Sequence, residues 1–385
     1  MTGTRGPSCR EARSHRCSGR PGIVLFATVL LVTVLAITLA AGACLAMRGL
    51  AVARARSDAL RARVAAESTV RATVALWRAS GARALPPLGR RTLPDALRLP
   101  GDAQGGASVR RLGGDLFLVV GSARAGVARA RAGALVRILS PTSFLPSFPG
   151  GLTADRARLG ASAGVGTDGG YAAPPAWSPE ACDPSARDSI ALVFGSAALP
   201  GIVAADVAVT TGATLDGDPP VVGRALPPDT AGLGPLPWAQ LTQWADRVET
   251  GAVLATPTAT GGACDRTAAG NWGAPLDPDS PCTDYFPLIF APGDLRVLGG
   301  SGQGVLVVRG RLSLEGDARF YGPVLVAGDI DAAEGVELWG AMRARTADWR
   351  GALHASPCAV LRALASAPGL SRPLRAGGRV WIPVF

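Results

Sequence analysis

The feature that most limits what this chain can form is an uncharged apolar stretch near its N-terminus. Residues 22–47 read GIVLFATVLLVTVLAITLAAGACLAM and contain no charged side chain. About 20 apolar residues in a helix cross the hydrocarbon core of a bilayer, so this stretch is long enough even when it is tilted. A soluble helix that is apolar on every face is unusual. The sequence therefore predicts one transmembrane helix, preceded by a basic cytoplasmic tail over residues 1–21.

A cleaved signal sequence is the alternative for this stretch. Ala41, Gly42 and Ala43 offer a small-residue cleavage site, and Cys44 after them gives a faint lipoprotein-like junction. The apolar run before that site is longer than the roughly 7–15 residues typical of a signal peptide core. We therefore favour a retained membrane anchor.

The cysteines indicate which side of the membrane the rest of the chain occupies. Arginines flank the apolar stretch on both sides, so the positive-inside rule gives little direction. Three cysteines lie before or within the stretch (Cys9, Cys17 and Cys44), and four lie after it (Cys182, Cys264, Cys282 and Cys358). A cytoplasmic N-terminus places these four in an oxidising compartment, where they can pair. This predicts a single-pass protein of the bacterial inner membrane with an extracytoplasmic C-terminal domain.

Four cysteines allow three connectivities. We favour Cys264–Cys282, which closes a short loop, together with Cys182–Cys358. Four buried free thiols are the alternative. These four residues are the disulfide candidates.

The helix is predicted to continue beyond the membrane as an amphipathic segment, so that it covers residues 22–80. Residues 50–80 are rich in Ala, Arg and Leu and contain neither Pro nor Gly. Strand-like runs at 108–112, 115–122 and 126–139 then predict a small antiparallel domain over 85–140, packed on the helix. Residues 141–189, dominated by Gly, Pro and Ser, are predicted to be a loop-rich linker.

The remaining part of the chain, residues 190–385, shows a repeat. Gly293, Gly310 and Gly328 are spaced by 17 and 18 residues, and an apolar strand-like run precedes each of them. A short fixed period of strand, Gly turn and strand is typical of a β-solenoid. The predicted fold class is therefore α+β, with a long N-terminal transmembrane and amphipathic helix packed on a small antiparallel sheet and followed by a β-solenoid-like distal domain. Short helices are expected at 237–246 and 359–367, with a final strand at 379–385.

Charge is distributed unevenly along the chain. Residues 1–145 have a net charge of +16, and residues 146–385 have a net charge of −6. The basic half could be a nucleic-acid surface, but arginines that flank a membrane segment explain it with no further assumption. We predict a membrane partner and no nucleic acid. Since all 39 basic residues are Arg, Lys-dependent chemistry is excluded.

A search for catalytic, cofactor and metal residues yields weak candidates only. His354 and Cys358 lie four residues apart and could form a metal-binding pair, but two ligands are too few for a metal site. The Gly-rich segment 299–304 lacks the Lys-Ser/Thr that a nucleotide-binding P-loop requires. Asp277, Asp279 and Asp284 could bind calcium, but Pro residues interrupt their spacing, which departs from that of an EF-hand loop. The acidic residues of 294–337 fall on turn positions, where they are solvated. We therefore predict no catalytic, cofactor-binding or metal-binding residues, no cofactor and no enzyme activity.

Two segments resemble a known family. RPGIVL at 20–25 and, after the apolar stretch, RARVAAES at 61–68 are similar to the Arg-Gly-apolar opening and the Ala-Ala-Glu segment of PilX-like type IV pilus assembly proteins. Major pilins place a Glu five residues into the mature helix, and here that position, counted from Ile23, is Ala27. The resemblance implies a pilin-like helix, a cytoplasmic N-terminus, and other pilin-like subunits or pilus assembly proteins as partners.

The favoured function is therefore that of a non-enzymatic, membrane-anchored, pilin-like envelope protein, in pilus assembly or as a minor pilin-like component. A membrane-anchored structural or binding β-solenoid protein unconnected to pili is the first alternative. A tethered polysaccharide-active enzyme is the second.

Overall fold

The structure is a computed structural model of the 385-residue chain. It describes residues 21–77, 85–93, 104–167, 173–175, 177–182, 199–217, 219–224, 232–375 and 382–383. The predicted basic tail, with Cys9 and Cys17, lies outside the described residues.

One long helix, α1 (Pro21–Ala75), begins the described chain. Its side chains are exposed from Val24 through Arg56, and burial becomes regular from Ala62 onward. Ala62, Ala66 and Val70 are spaced by four residues and are almost completely buried, so they form one stripe along the helix. The helix ends five residues earlier than predicted, because the chain turns at Leu76 and places Trp77 edge-on against Phe117.

An antiparallel sheet covers this stripe. Its first four strands are β1 (Arg90–Leu93), β2 (Gln104–Gly113), β3 (Leu116–Ala125) and β4 (Ala128–Arg137). They pair in sequence order, with Phe117 and Val119 on the face toward α1. The sequence missed β1.

The distal part of the chain is rich in short strands. These are β5 (Leu152–Leu159), β6 (Gly164–Thr167), β7 (Ile202–Val209), β8 (Thr214–Leu215), β9 (Val221–Gly223), β10 (Gly232–Leu233), β11 (Leu236–Pro237), β12 (Arg247–Val248), β13 (Gly251–Ala255), β14 (Ala259–Thr260), β15 (Ala263–Cys264), β16 (Leu288–Ala291), β17 (Leu295–Gln303), β18 (Val305–Val308), β19 (Leu312–Leu314), β20 (Arg319–Val326), β21 (Asp329–Ala332), β22 (Glu337–Arg343), β23 (Thr346–Trp349) and β24 (Ala352–Ala355). Two further strands, β25 (Leu374–Arg375) and β26 (Ile382–Pro383), return to β4 and pair with it antiparallel.

The helical elements of this part are short. They are the 3-10 helices η1 (Pro141–Ser147), η2 (Pro179–Ala181) and η3 (Gly369–Ser371), and the α-helices α2 (Trp238–Trp244) and α3 (Pro357–Ser366). Both α-helices lie close to their predicted positions. Ser356 caps α3 by accepting a hydrogen bond from the backbone N–H of Ala359.

Apart from the hairpins β10–β11 and β14–β15, the distal strands pair in parallel. One stack runs in the order β12-β16-β18-β20-β22-β5-β7-β9, and a second in the order β13-β17-β19-β21-β23-β5-β7. A third stack is β17-β20-β22-β24-β6-β8. The long strands belong to two stacks each, so the stacks adjoin along their edges.

The strand register follows the repeat that the glycines indicated. Leu288 lies opposite Val305, Leu306 opposite Val324, and Val324 opposite Met342. From β16 to β23, each paired position is therefore stacked on the residue 17 or 18 places along the chain, whereas β5, β6 and β12 pair with strands much farther away in the sequence. The apolar side chains between the stacks form one large buried cluster that includes Trp272 and Trp349.

The prediction of a loop-rich linker at 141–189 is wrong for part of that segment. Strands β5 and β6 lie there, and β5 pairs with β22 and β23 on one side and with β7 on the other. The strands are short and surrounded by Gly and Pro, so composition over the whole segment concealed them. Leu152 and Ala154 are buried, and beyond them Ala157 and Leu159 are buried while Arg156 and Arg158 are exposed, so the alternation of a strand changes phase at Asp155–Arg156.

Candidate membrane anchor and interaction surfaces

The first half of α1 is the candidate anchor. Among the described residues, α1 contains the one helix segment long and apolar enough to cross a membrane, Val24–Ala75, whose most apolar window has a mean hydropathy of 2.7 and no residue buried inside the protein. Phe26, Leu31 and Leu39 each expose at least two thirds of their surface. An apolar surface of this size is stable only when lipid or another apolar protein surface covers it. The anchor carries no acidic side chain, and the position at which a major pilin has Glu is held by the exposed Ala27.

The second half of α1 joins this anchor rigidly to the sheet. A Cβ atom on Gly121 of β3 would lie 2.5 Å from the carbonyl oxygen of Ala66 and 2.8 Å from Cγ2 of Val70, so the strand approaches the helix backbone closely. In the β3–β4 turn, Gly126 lies against the carboxylate of Asp58. Asp58 follows the last anchor residue, Met47, by 11 positions, or about 16 Å at the helical rise. The sheet therefore begins a short distance beyond the anchor.

The sheet face turned away from α1 is basic. Arg90, Arg110 and Arg131 surround a shallow concavity of about 700 Å³, whose floor includes Leu118 and Val120. The exposed residues Arg124 and Arg129 continue this face toward the β3–β4 turn. Within residues 85–93 and 104–137 the only acidic residue is Asp115, in the β2–β3 turn. This face therefore attracts acidic groups.

The structure brings together both favoured cysteine pairs. Cys264 and Cys282 are disulfide-bonded with their Cα atoms 4.8 Å apart, and Cys182 and Cys358 with their Cα atoms 5.5 Å apart. The first bond closes a local loop, whereas the second ties the segment 177–182 to helix α3. Cys44 is a free cysteine on the exposed anchor surface.

A row of stacked rings runs along the third stack, and the sequence analysis missed it. The rings of Trp339 and His354 are 4.0 Å apart and nearly parallel, and Tyr321 stacks on the other side of Trp339. Trp177 packs against Tyr321, and the Arg362 guanidinium lies 4.9 Å above the Trp177 ring. Tyr321 and Trp339 are one repeat apart, so a search at that spacing would have found them. Burial raises the pKa of Tyr321 to about 12.

Charged side chains cover the outside of the second stack and pair with each other between coils. Arg296 makes a bidentate pair with Glu315, and Arg350 pairs with Asp331 at 2.9 Å. Asp329 accepts a hydrogen bond from Thr346 and lies 3.1 Å from Arg345 and 3.7 Å from Arg311. These contacts, that from the Thr346 hydroxyl most of all, lower the pKa of Asp329. The acidic residues of these turns and strands are thus held by arginines, in place of the simple solvation that the sequence predicted.

The weaker chemical candidates have structural explanations. Cys358 is in a disulfide, so it offers neither a thiolate nor a metal ligand beside His354. Within segment 299–304, a Cβ atom on Gly300 would overlap the carbonyl oxygen of Ala255, so close strand packing requires this glycine. Asp284 pairs with Arg362 on helix α3. Among the described residues there is no group of three or more His, Cys, Asp or Glu side chains placed to hold a metal ion.

Comparison with known proteins gives only a low-similarity structural resemblance. No protein-family model matches the sequence, and no curated protein matches it. The competence-associated pilin ComZ from Thermus thermophilus is a structural match, with 12% sequence identity and a TM-score of 0.23, over 85% of this chain and 97% of that chain. This similarity is too low to assign the chain to a family.

Proposed function

We propose that this chain is a non-enzymatic, pilin-like envelope protein that acts in type IV pilus assembly or as a minor pilin-like component. The observation that carries the proposal is the division of helix α1. Its first half is apolar and uncovered, and its second half packs on an antiparallel sheet through Ala62, Ala66 and Val70. One rigid element thereby connects an apolar anchor to a folded domain.

The proposed location is the bacterial inner membrane, with a single span, a cytoplasmic N-terminus and the two sheet domains outside the cytoplasm. The disulfides Cys182–Cys358 and Cys264–Cys282 support this orientation, because such bonds persist in oxidising compartments. The proposed partners are the membrane and other pilin-like subunits or pilus assembly proteins, which would cover the exposed side chains of the anchor. We propose no nucleic-acid partner.

The basic face of the antiparallel sheet, which is turned away from α1, is a second surface that such partners could contact. The N-terminal part of the chain, residues 1–145, is strongly basic, and residues 146–385 have a net charge of −6. In a row of anchored copies, the Arg90–Arg110–Arg131 concavity of one copy and the acidic distal domain of the next would attract each other. We propose this charge complementarity as the source of lateral contacts.

The parallel strand pairing of the distal domain favours the first alternative function, that of a membrane-anchored structural or binding β-solenoid protein unconnected to pili. We propose that its three parallel stacks form a β-solenoid, because the partners along the coils from β16 to β23 are 17 or 18 residues apart. Among the described residues, the end strands of the first stack, β12 and β9, each pair on one side only. Such a domain gives an elongated surface for structural or binding contacts, with or without a pilus.

Site-specific photocrosslinking from the anchor tests the proposed function. A photoreactive residue replaces Leu31 on the exposed anchor, and in a matched control it replaces the exposed Leu254 of the distal domain. In cells of the native host, we expect the Leu31 probe to form adducts with the apolar helices of pilin-like proteins and the Leu254 probe to form none of these adducts. If adducts at Leu31 contain only lipid, the pilin-like assignment is wrong and the alternative of an independent anchored protein is favoured.

A further inference from the structure

The turn between β3 and β4 lies at the end of the antiparallel sheet that is nearest to the anchor. Strand β3 begins at the far end of α1, where Phe117 packs on Trp77. It ends close to the anchor, where Gly126 in the turn lies against Asp58. We call residues 124–129 the hairpin tip. Because β3 runs back along α1 in this way, the hairpin tip points toward the anchor.

Two arginines face each other on the hairpin tip. Arg124 of β3 and Arg129 of β4 are directly paired across the two strands, and both are exposed. Like charges in directly opposite positions destabilise a strand pair. Arg124 donates a hydrogen bond from its Nε to the backbone carbonyl oxygen of Gly126 at 3.2 Å, but neither arginine is in an ion pair with another described residue. A negatively charged partner would relieve this repulsion.

The helix adds positive charge beside the hairpin tip. Residues 48–63, which follow the anchor, contain five Arg and one acidic residue, Asp58, and therefore have a net charge of +4. Arg54 is exposed and precedes Asp58 by four positions, so it lies on the same face of α1, one turn closer to the anchor. The hairpin tip and this turn of the helix thus form one basic cluster next to the anchor. Such clusters beside a membrane helix attract anionic lipids.

The hairpin tip also presents an apolar side chain to solvent. Val127 is 83% exposed, the highest value among the large apolar residues that the structure describes. Gly126 has a φ of 55° and supplies the left-handed backbone that the two-residue turn requires, and the position after such a glycine usually holds Asn, Asp or Ser. The turn itself therefore does not explain the valine. An aliphatic side chain between arginines is suited to the interface between lipid headgroups and hydrocarbon.

The length of the anchor favours contact between the hairpin tip and the proposed membrane. Its 26 residues span about 39 Å as a helix, which exceeds the roughly 30 Å of the hydrocarbon core. A helix that is longer than the core tilts. Because Gly121 packs closely on Ala66, the sheet follows any tilt of α1. A tilt toward the sheet lowers the hairpin tip to the headgroups.

We propose that the hairpin tip docks on the membrane that holds the anchor, where Arg54, Arg124 and Arg129 bind the phosphate groups of anionic phospholipids and Val127 lies among the headgroups. The contact fixes the direction in which α1 tilts and holds the antiparallel sheet against the membrane surface. This inference rests on the proposed membrane anchor, but it does not depend on a role in pili.

Quenching of a fluorescent label by lipid headgroups tests the proposal. The full chain, with Ser in place of Cys9, Cys17 and Cys44, carries the label at Val127→Cys and is reconstituted into vesicles that contain a lipid with a nitroxide on its headgroup. The control label is at Leu76→Cys, which is also exposed and apolar but lies just beyond the far end of α1. One set of vesicles is phosphatidylcholine, and the other also contains anionic phosphatidylglycerol. We expect strong quenching at position 127 in the anionic vesicles, weak quenching there in the neutral vesicles, and weak quenching at position 76 in both.

Charge variants connect the quenching to the arginines. Each arginine near an anionic surface should change the ratio of docked to undocked molecules about fivefold, so Arg124→Gln together with Arg129→Gln should lower this ratio about 25-fold. Removal of two opposed like charges does not destabilise the hairpin, so the loss would not reflect unfolding. The matched control is Arg156→Gln together with Arg158→Gln, which removes the same charge from exposed positions of β5 and should leave the quenching unchanged.

Three results would overturn the proposed docking in a chain that stays in the vesicles after alkaline carbonate extraction. The first is quenching at position 127 that is no stronger than at position 76 in anionic vesicles. The second is quenching at position 127 that is equal in neutral and anionic vesicles, and the third is full quenching in the double variant at positions 124 and 129. A chain that carbonate extracts from both kinds of vesicle would instead contradict the anchor itself, and the docking would fail with it.

Discussion

Gly121 of β3 lies directly under Ala66 of α1, so close that a Cβ atom on the glycine would be 2.5 Å from the Ala66 carbonyl oxygen. Gly121 itself has an ordinary extended backbone, and only its missing side chain permits the contact. The distance between the anchor helix and the sheet therefore depends on this residue. The pair joins the exposed apolar half of α1 to the sheet that follows it.

Substitution of Gly121 should separate the helix from the sheet. We expect Gly121→Val to lower the free energy of unfolding by about 1–3 kcal/mol, the usual cost of overpacking a close contact. The measurement is chemical unfolding in detergent, followed by tryptophan fluorescence, to which Trp77 contributes from its position on Phe117 beside the interface. Gly223→Ala is the control, because a Cβ atom there meets no atom within 4 Å. Equal stability of the two variants would show that the helix does not rest on the sheet in this way.

The two disulfides should contribute unequally to stability. Their residues are separated by 176 positions for Cys182–Cys358 and by 18 positions for Cys264–Cys282. The chain-entropy relation gives the long bridge an advantage of about 2 kcal/mol. We therefore predict that Cys358→Ser lowers the melting temperature of the full chain more than Cys282→Ser, with Cys44→Ser as an unpaired control. Free-thiol counting in the oxidised protein must accompany this comparison, and five reactive thiols among Cys44 and the four distal cysteines would refute both bridges.

Asp329 should contribute stability that depends on pH. Thr346 and the nearby Arg345 and Arg311 lower the pKa of this carboxylate below its usual value of 3.8. A lowered folded-state pKa stabilises the protein above pH 3.8, and the contribution is lost as the pH falls through the lower value. Asp329→Asn should therefore cost about 0.5–1 kcal/mol at pH 7 and progressively less below pH 4. A stability difference that stays constant from pH 7 to pH 2.5 would contradict this explanation.

Processing at the start of the anchor should be poor. Major pilins have Glu five residues into the mature helix, whereas this chain has Ala27 there. We predict that most molecules in the membrane fraction keep the residues before Gly22. Mass spectrometry of the intact protein and its N-terminal peptide measures this directly. A dominant N-terminus at Ile23 would show that cleavage does not need that Glu, and would itself strengthen the pilin-like assignment.

Sequence periodicity predicted those parts of the fold that depend on neighbours in the chain. The uncharged stretch up to Met47 predicted the apolar helix, and Gly293, Gly310 and Gly328 gave the spacing at which the distal strands pair. Each of these signals arises from local geometry, either a helix that is apolar on every face or a turn that recurs at a fixed interval.

Other features depend on segments that are distant in the sequence. Strand β5 pairs with β22 and β23, whose paired residues lie 190 positions further along the chain. A short strand of this kind has no local signal strong enough to distinguish it from the loops around it. The burial of Arg343 depends on η1 and on the hairpin β10–β11, so its sequence neighbours give no indication that it is enclosed. The row formed by Tyr321, Trp339 and His354 was partly predictable from the sequence. These residues lie on successive coils, so a comparison of residue types between coils would have revealed the row.

The orientation of the chain in the membrane is the central claim, and reporter fusions test it most directly. Alkaline phosphatase, which folds only where its disulfides form, and a reporter active only in the cytoplasm are each fused after Phe385. The same pair is fused within the N-terminal tail, before Pro21, as the matched control. We predict an active phosphatase and a silent cytoplasmic reporter at the C-terminal position, with the reverse pattern at the tail. A silent phosphatase together with an active cytoplasmic reporter after Phe385 would contradict the proposed orientation, and the disulfide argument would fail with it.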